Sequence, residues 1–370
     1  MNFDFSDDQK LLRDQVARFL AEACPIAVVR AVLEGKAQYA TGVWRGLASM
    51  GLVGTAVPES YGGTGAGYLE LCLVAEQLGA ALAPTPFQST VYFLVEALLR
   101  LGSEAQKQKW LSKIVAGDVK GALAATETVA AMQPAAIRTT FANGKLTGEK
   151  LVVVDGGVAD LALVLARDAS GALSLYLAEL SHASVARHDV RSVDPTRNTA
   201  HVRFAGTPAE LLGKSGAGLA ELEALYDRAA VLVAFEQLGG AQRALAMAVG
   251  YAKERFAFGR PIGSFQAIKH MLADMFVAAK LAESNCYYAA WALSTNSPEL
   301  PLAAATARVS ATQAFQQCAK DNIQVHGGMG FTWEFDCHLY YRRSNFLALE
   351  LGGLSTWESR VVEHLSTTAA

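Results

Sequence analysis

YAKERFAFGRPIGSFQ, residues 251–266, decides how the rest of the chain is read. Upstream of it, Leu219–Glu254 is a long Ala-rich run with helical spacing, and downstream Phe265–Leu293 is another; between them Gly259 and Pro261 force a stop and a restart. A third long run, Leu300–Val325, and a last stretch from Cys337 complete the pattern. Long helices with small-residue faces and short connections predict a bundle.

Before the bundle the pattern changes twice. The segments Gly121–Thr126, Ile137–Ala142, Lys145–Val154, Leu161–Ala166, Leu173–Leu180 and His201–Phe204 are short, often β-branched and bounded by Gly, Asn or Asp, as strands are, and Asn143-Gly144 marks a hairpin. Further upstream, Ser6-Asp7-Asp8-Gln9 is a capping box that starts an amphipathic helix carrying Leu11, Leu12, Val16, Phe19 and Leu20 on one face. Val43–Met50, Tyr68–Leu78, Thr90–Leu101 and Ser103–Val115 read as further helices. The expected fold is therefore α+β, mostly α: an N-terminal helical domain over 1–120, a small middle β domain over 121–218 and a C-terminal four-helix bundle over 219–370. No internal repeat is evident.

At 370 residues, 52% hydrophobic, with mean hydropathy +0.21, the chain can bury a large core. Net charge −3 and pI ≈ 6.2, with no Lys/Arg-rich run, argue against a nucleic-acid partner. Cys24, Cys72, Cys286, Cys318 and Cys337 lie far apart without metal-ligand spacing, so buried thiols in a reducing cytosol are expected rather than disulfides or a metal site. Asp4, Asp7 and Asp8 replace the basic start of a signal peptide, and no apolar run of about 18 residues predicts a membrane span.

Two segments carry candidate chemistry. Arg255, near the end of the first long bundle helix, offers the planar fork that pairs with a diphosphate, although a helix-end Arg also favours the macrodipole for purely structural reasons. In Gln324–Phe331 the glycines at 327, 328 and 330 let backbone approach a ligand, which a simple helix C-cap explains less well. His326 reads as a packed histidine. Gly63-Thr64-Gly65-Ala66-Gly67 lacks the third glycine and the βαβ context of a dinucleotide fingerprint, and is read as a turn.

In combination, Val57–Gly63, Ala75-Glu76-Gln77-Leu78-Gly79, Thr126-Glu127, Asp194-Pro195-Thr196-Arg197, Tyr251–Gln266 and Gln324–Phe331 resemble the acyl-CoA dehydrogenase family along essentially the whole chain. The resemblance implies the same helix–strand–helix order, FAD held at a subunit interface, an acyl-CoA substrate, and a carboxylate that removes the α-proton while a β-hydride passes to the flavin. It assigns Arg255, Phe258, Gln266, Gln324, Gly327 and Gly328 to the FAD diphosphate and adenosine of a neighbouring subunit. It further implies a homo- or hetero-oligomer, as a dimer or dimer of dimers, and electron-transferring flavoprotein as the next electron carrier. The acyl group stays open among short, branched, aromatic and sterol-derived thioesters.

The half that would cradle the flavin ring in the same subunit departs from the family. Thr126-Glu127 is followed by Thr128-Val129-Ala130-Ala131-Met132-Gln133 instead of a Pro and small-residue turn, and Val152-Val153-Val154 stands where the family has Trp-Ile-Thr. The C-terminal base and the flavin-contacting Thr become Leu351 and Gly353, with Glu350 one place off. The base position that some relatives use falls near Ala229. Glu236 lies two turns on, among Val233, Ala234, Phe235 and Leu238, and reads either as a buried base or as one half of an ion pair with an Arg of the bundle. Three functions follow: a flavin-completing subunit of a heteromeric dehydrogenase, a self-sufficient homo-oligomer using Glu236 or, second, Glu350, and a non-enzymatic thioester-binding or scaffold protein.

Overall fold

The computed structural model describes residues 5–128 and 132–368. Asp4 and the Val129–Ala131 part of the turn after Glu127 therefore lie outside the described residues. The chain opens with α1 (Asp7–Ala23), started by the expected capping box: the Gln9 amide donates to Ser6 Oγ at 3.2 Å while the Ser6 amide donates to Gln9 Oε1 at 2.9 Å. It continues with α2 (Ile26–Leu33), α3 (Thr41–Ser49), α4 (Tyr68–Ala80), a π-helical segment over Gln88–Val95 that runs into α5 (Glu96–Leu101), and α6 (Glu104–Val115). A second capping box, Ser103 with Gln106, starts α6.

Seven strands follow: β1 (Gly121–Ala124), β2 (Thr140–Ala142), β3 (Lys145–Val154), β4 (Leu161–Arg167), β5 (Leu173–Glu179), β6 (Val185–Asp189) and β7 (Thr199–Leu212). Their pairings return on themselves, because β4 meets both β2 and β5 while β3 and β5 both meet β7, so the sheet closes into a small barrel. Val164, Tyr176, Val202 and Phe204 fill its interior. The rest is helical: α7 (Gly218–Glu254), the two-residue strands β8 (Phe256–Ala257) and β9 (Arg260–Pro261), α8 (Gln266–Ser294), α9 (Leu300–His326), α10 (Cys337–Leu349) and α11 (Leu354–Thr368).

The order of helices, then strands, then helices is the one read from sequence. Several elements differ. Thr90–Leu101 is not one α-helix, since its first part is π-helical; α2, only eight residues long and entered through Pro25, and β6, mostly exposed with the sequence VARHD, fall outside the segments expected from sequence; β7 runs well beyond His201–Phe204; and the stretch from Cys337 breaks into α10 and α11. Contacts gather the chain into two compact units: one from the described parts of Met1–Ala27, Tyr68–Ala83 and Ala230–Ala370, the other from Val28–Gly67 and Pro84–Ala229. Among the described residues no helix is long and apolar enough to cross a membrane, and all five cysteines are buried and free.

Candidate cofactor and catalytic site

In the first unit the two glycine-containing motifs come together at helix ends. The Tyr251 ring, one turn before Arg255 on α7, stacks on His326 at the end of α9 with centroids 4.0 Å apart, and Phe335 closes edge-on against both. His326 is buried and its Nδ1 donates to the Asn322 carbonyl at 2.8 Å; burial holds its pKa below the usual imidazole range. It is a packed histidine.

Around that stack the candidate cofactor residues face outward. Arg255, Gln266 and Gln324 are exposed. Phe258 is 94% exposed and sits with Gly259 at the tip of the β8–β9 hairpin, both at positive φ (53° and 76°). A two-residue turn of that hand is easy for Asn-Gly and strained for Phe-Gly, so the chain accepts strain to hold an aromatic ring in the open. Gly327, at φ 60° and ψ −139°, occupies backbone space that only glycine uses readily, and nothing lies within 4 Å of where a Cβ would stand on Gly327 or Gly328. A guanidinium, two carboxamides and unshielded backbone form a donor set suited to the diphosphate end of a nucleotide.

The two candidate bases are placed differently. Glu236 is 1% exposed and meets the wholly buried Arg343 of α10 at 3.4 Å, so of the two sequence readings the ion pair is the one seen. Its neighbour Gln237 accepts from Arg308 of α9, which also donates to Thr312 Oγ1, to the Leu347 carbonyl and, at 2.9 Å, to the Glu350 carbonyl. Glu350 is half-buried just past the end of α10, and Leu351 beside it has φ 63°.

In the second unit, the flavin-ring position of the resemblance falls on a bulge in β3. Pairing with β7 shifts register between Lys150 and Val153; Val152 is left at φ 54° and 41% exposed, an outlier for a β-branched residue. The bulge is anchored by Glu127. Its carboxylate accepts from buried Lys150 Nζ at 2.6 Å and from the Arg138 and Thr139 amides at 2.6 and 3.0 Å. Burial pushes Lys150 down to about 8 against the pull of Glu127. Val152 and Val154 bring no side-chain donor, so these positions do not supply the polar contacts a flavin ring needs.

Two surface hollows are a groove of about 430 Å³ between α8 and α9, with Val277, Leu281, Ser310 and Ala314 in its walls, and one of about 230 Å³ on the barrel beside Phe141 and Tyr176. Neither is lined by Glu236 or Glu350. Among the described residues no group of three or more His, Cys, Asp or Glu side chains could hold a metal.

Sequence reading overlooked Gln237, Arg308 and Arg343. The tetrapeptide Glu-Gln-Leu-Gly, which contains Gln237, occurs at 76–79 in α4 and again at 236–239 in α7. The copies cross backbone to backbone. A Cβ on Gly79 would stand 1.9 Å from the Glu236 carbonyl oxygen, and one on Gly239 would stand 1.8 Å from that of Glu76.

Family models match over two stretches, the acyl-CoA dehydrogenase N-terminal domain at residues 6–118 and the C-terminal domain at residues 200–354. Acyl-CoA dehydrogenase IpdE2 of Mycobacterium tuberculosis is 32% identical over 92% of this chain and 91% of its own length. Among solved structures, butyryl-CoA dehydrogenase from Megasphaera elsdenii is 26% identical with TM-score 0.92, covering 99% of this chain and 100% of that one. A chain of the ChsE4-ChsE5 complex from Mycobacterium tuberculosis is 28% identical with TM-score 0.89, covering 99% of each.

Proposed function

This chain belongs to the acyl-CoA dehydrogenase family of oxidoreductases, whose members bind FAD, and from that premise we propose that it is the flavin-completing subunit of a heteromeric enzyme. The reaction is α,β-desaturation of an acyl-CoA thioester. FAD, when bound, supplies the acceptor for the β-hydride. This chain lends Arg255, Phe258, Gln266, Gln324, Gly327 and Gly328 to the diphosphate and adenosine, and a homologous partner supplies the flavin-ring contacts and the carboxylate that takes the α-proton.

The observation that carries this reading is an asymmetry in available polar groups. The donors at the ends of α7 and α9 are exposed and gathered by the Tyr251–His326 stack, whereas Glu236 is tied to Arg343 and the flavin-ring positions are valines. Exposed Phe256, Phe258 and Phe331 around the same motif are apolar surface of the kind that a neighbouring chain covers. A solved relative is described as the ChsE4-ChsE5 complex, which supports a heteromeric reading. We place the protein in the cytoplasm, where free buried thiols persist, as one component of a dimer or dimer of dimers that passes electrons to electron-transferring flavoprotein.

Co-expression with candidate homologous chains tests the proposal. Dehydrogenation of acyl-CoA should appear only in a mixed assembly and vanish when the partner's carboxylate is removed. Turnover by the purified single chain would refute it.

A further inference from the structure

The consecutive residues Glu236 and Gln237 each hold a buried arginine against the end of a helix. On one side, Arg343 bridges from Glu236 to the Leu82 carbonyl at 3.3 Å, beside Tyr340, whose hydroxyl donates to the Ala80 carbonyl at 2.9 Å; these carbonyls lie at the last residue of α4 and two residues beyond it. On the other side, Arg308 bridges from Gln237 to the Leu347 and Glu350 carbonyls at the C-terminus of α10. Both guanidiniums are at most 1% exposed, and each brings a positive charge to the negative end of a helix.

We propose that Gln237 and Arg308 are positioning residues for the turn Glu350–Gly353, and that Glu236 is the equivalent residue for the end of α4 rather than a proton acceptor. The geometry gives each arm a separate task. The Arg308 arm fixes Glu350 immediately before Leu351 and Gly352, which sit at φ 63° and 98°, and its donation to the Glu350 carbonyl ties this left-handed turn to α9. The turn is the segment where the family resemblance puts the base and a flavin contact, so its shape enters the site even though Leu351 and Gly353 carry no acid or hydroxyl. The Arg343 arm, by contrast, locks the Glu-Gln-Leu-Gly crossing of α4 with α7.

This inference deepens the heteromer reading, but its first test does not depend on it. Hydrogen exchange on the single chain, which needs neither flavin nor partner, should show the arms opening separately. Gln237→Leu and Arg308→Lys should speed exchange at the Glu350 amide by roughly tenfold, with Ala81–Ala83 little changed, and Glu236→Gln should do the reverse. Equal acceleration at both places in any of these variants would mean one undivided core and would overturn the proposal; should Arg308→Lys not fold, Gln237→Leu decides alone. In the flavin-loaded mixed assembly, Glu236→Gln should leave kcat within about twofold and the pH profile unmoved, while Gln237→Leu should raise KM several-fold at constant flavin content. A loss of kcat by about a hundredfold or more in Glu236→Gln, with flavin retained, would make Glu236 the base and sink the proposal.

Discussion

The rim at the ends of α7 and α9 and the core around Glu236 lie in the same compact unit and both are rich in polar groups, yet they keep them in opposite conditions. At the rim, Arg255, Gln266 and Gln324 point outward around glycine backbone with open space over it. In the core, Glu236, Gln237, Arg308 and Arg343 are at most 1% exposed and bound to one another or to helix-end carbonyls. The contrast separates recognition from architecture. A polar group built to meet a ligand is left with unused hydrogen-bonding capacity at a surface, while one that holds the fold together has its partners inside the chain.

The contrast breaks most visibly under Arg343→Met. Removing one partner from a wholly buried pair leaves Glu236 desolvated and without its cation, and should cost roughly 3–5 kcal/mol of stability, read as a lowered urea midpoint. A loss below about 1 kcal/mol would mean that the core charges are not the brace described.

Next in size is a pH effect at the other Glu-Gln-Leu-Gly copy. Glu76 is buried, and burial pushes its carboxyl up to about 7 from about 4.5, with Arg13 and Lys280 pulling down and Glu283 pushing up. Because the folded state binds this proton more tightly than the unfolded chain, the stabilisation is full below about pH 4.5 and is lost as pH rises through about 7. A shift of this size corresponds to about 3 kcal/mol across that window. Glu76→Gln should flatten that part of the stability profile, and an unchanged slope would remove Glu76 from the account.

Gly239→Ala adds a methyl that would stand 1.8 Å from the Glu76 carbonyl oxygen, forcing α4 and α7 apart at a cost of about 1–3 kcal/mol in thermal or urea unfolding. Smallest in folding terms is Arg255→Ala. At an exposed site it should change stability by less than about 0.5 kcal/mol, yet weaken flavin retention in the mixed assembly by about ten- to a hundredfold, the loss expected for a charge-assisted hydrogen bond. A destabilised fold with normal flavin binding would erase the distinction between rim and core.

Much of this was legible in the sequence because it is local. The capping box at Ser6, the β-branched strands, and the Gly-Pro break after Arg255 are written within a few residues of where they act. The rim motif is local too, and its glycines announced open backbone. The brace was not legible, since Gln237 meets a residue 71 positions on and Glu236 one 107 positions on, and a lone Glu in an apolar helix is compatible with either a base or an ion pair. The barrel edge strand β6 and the π-helical segment at Gln88–Val95 escaped for another reason: each owes its conformation to what it packs against, with no period of its own to show it.

The visible absorption spectrum of the chain purified alone, set against that of the chain co-purified with its partner, bears most directly on the central claim. The flavin bands should be missing from the first and present in the second. A full complement of FAD in the lone chain would show that it builds the whole flavin site by itself, and would contradict the division of labour proposed here.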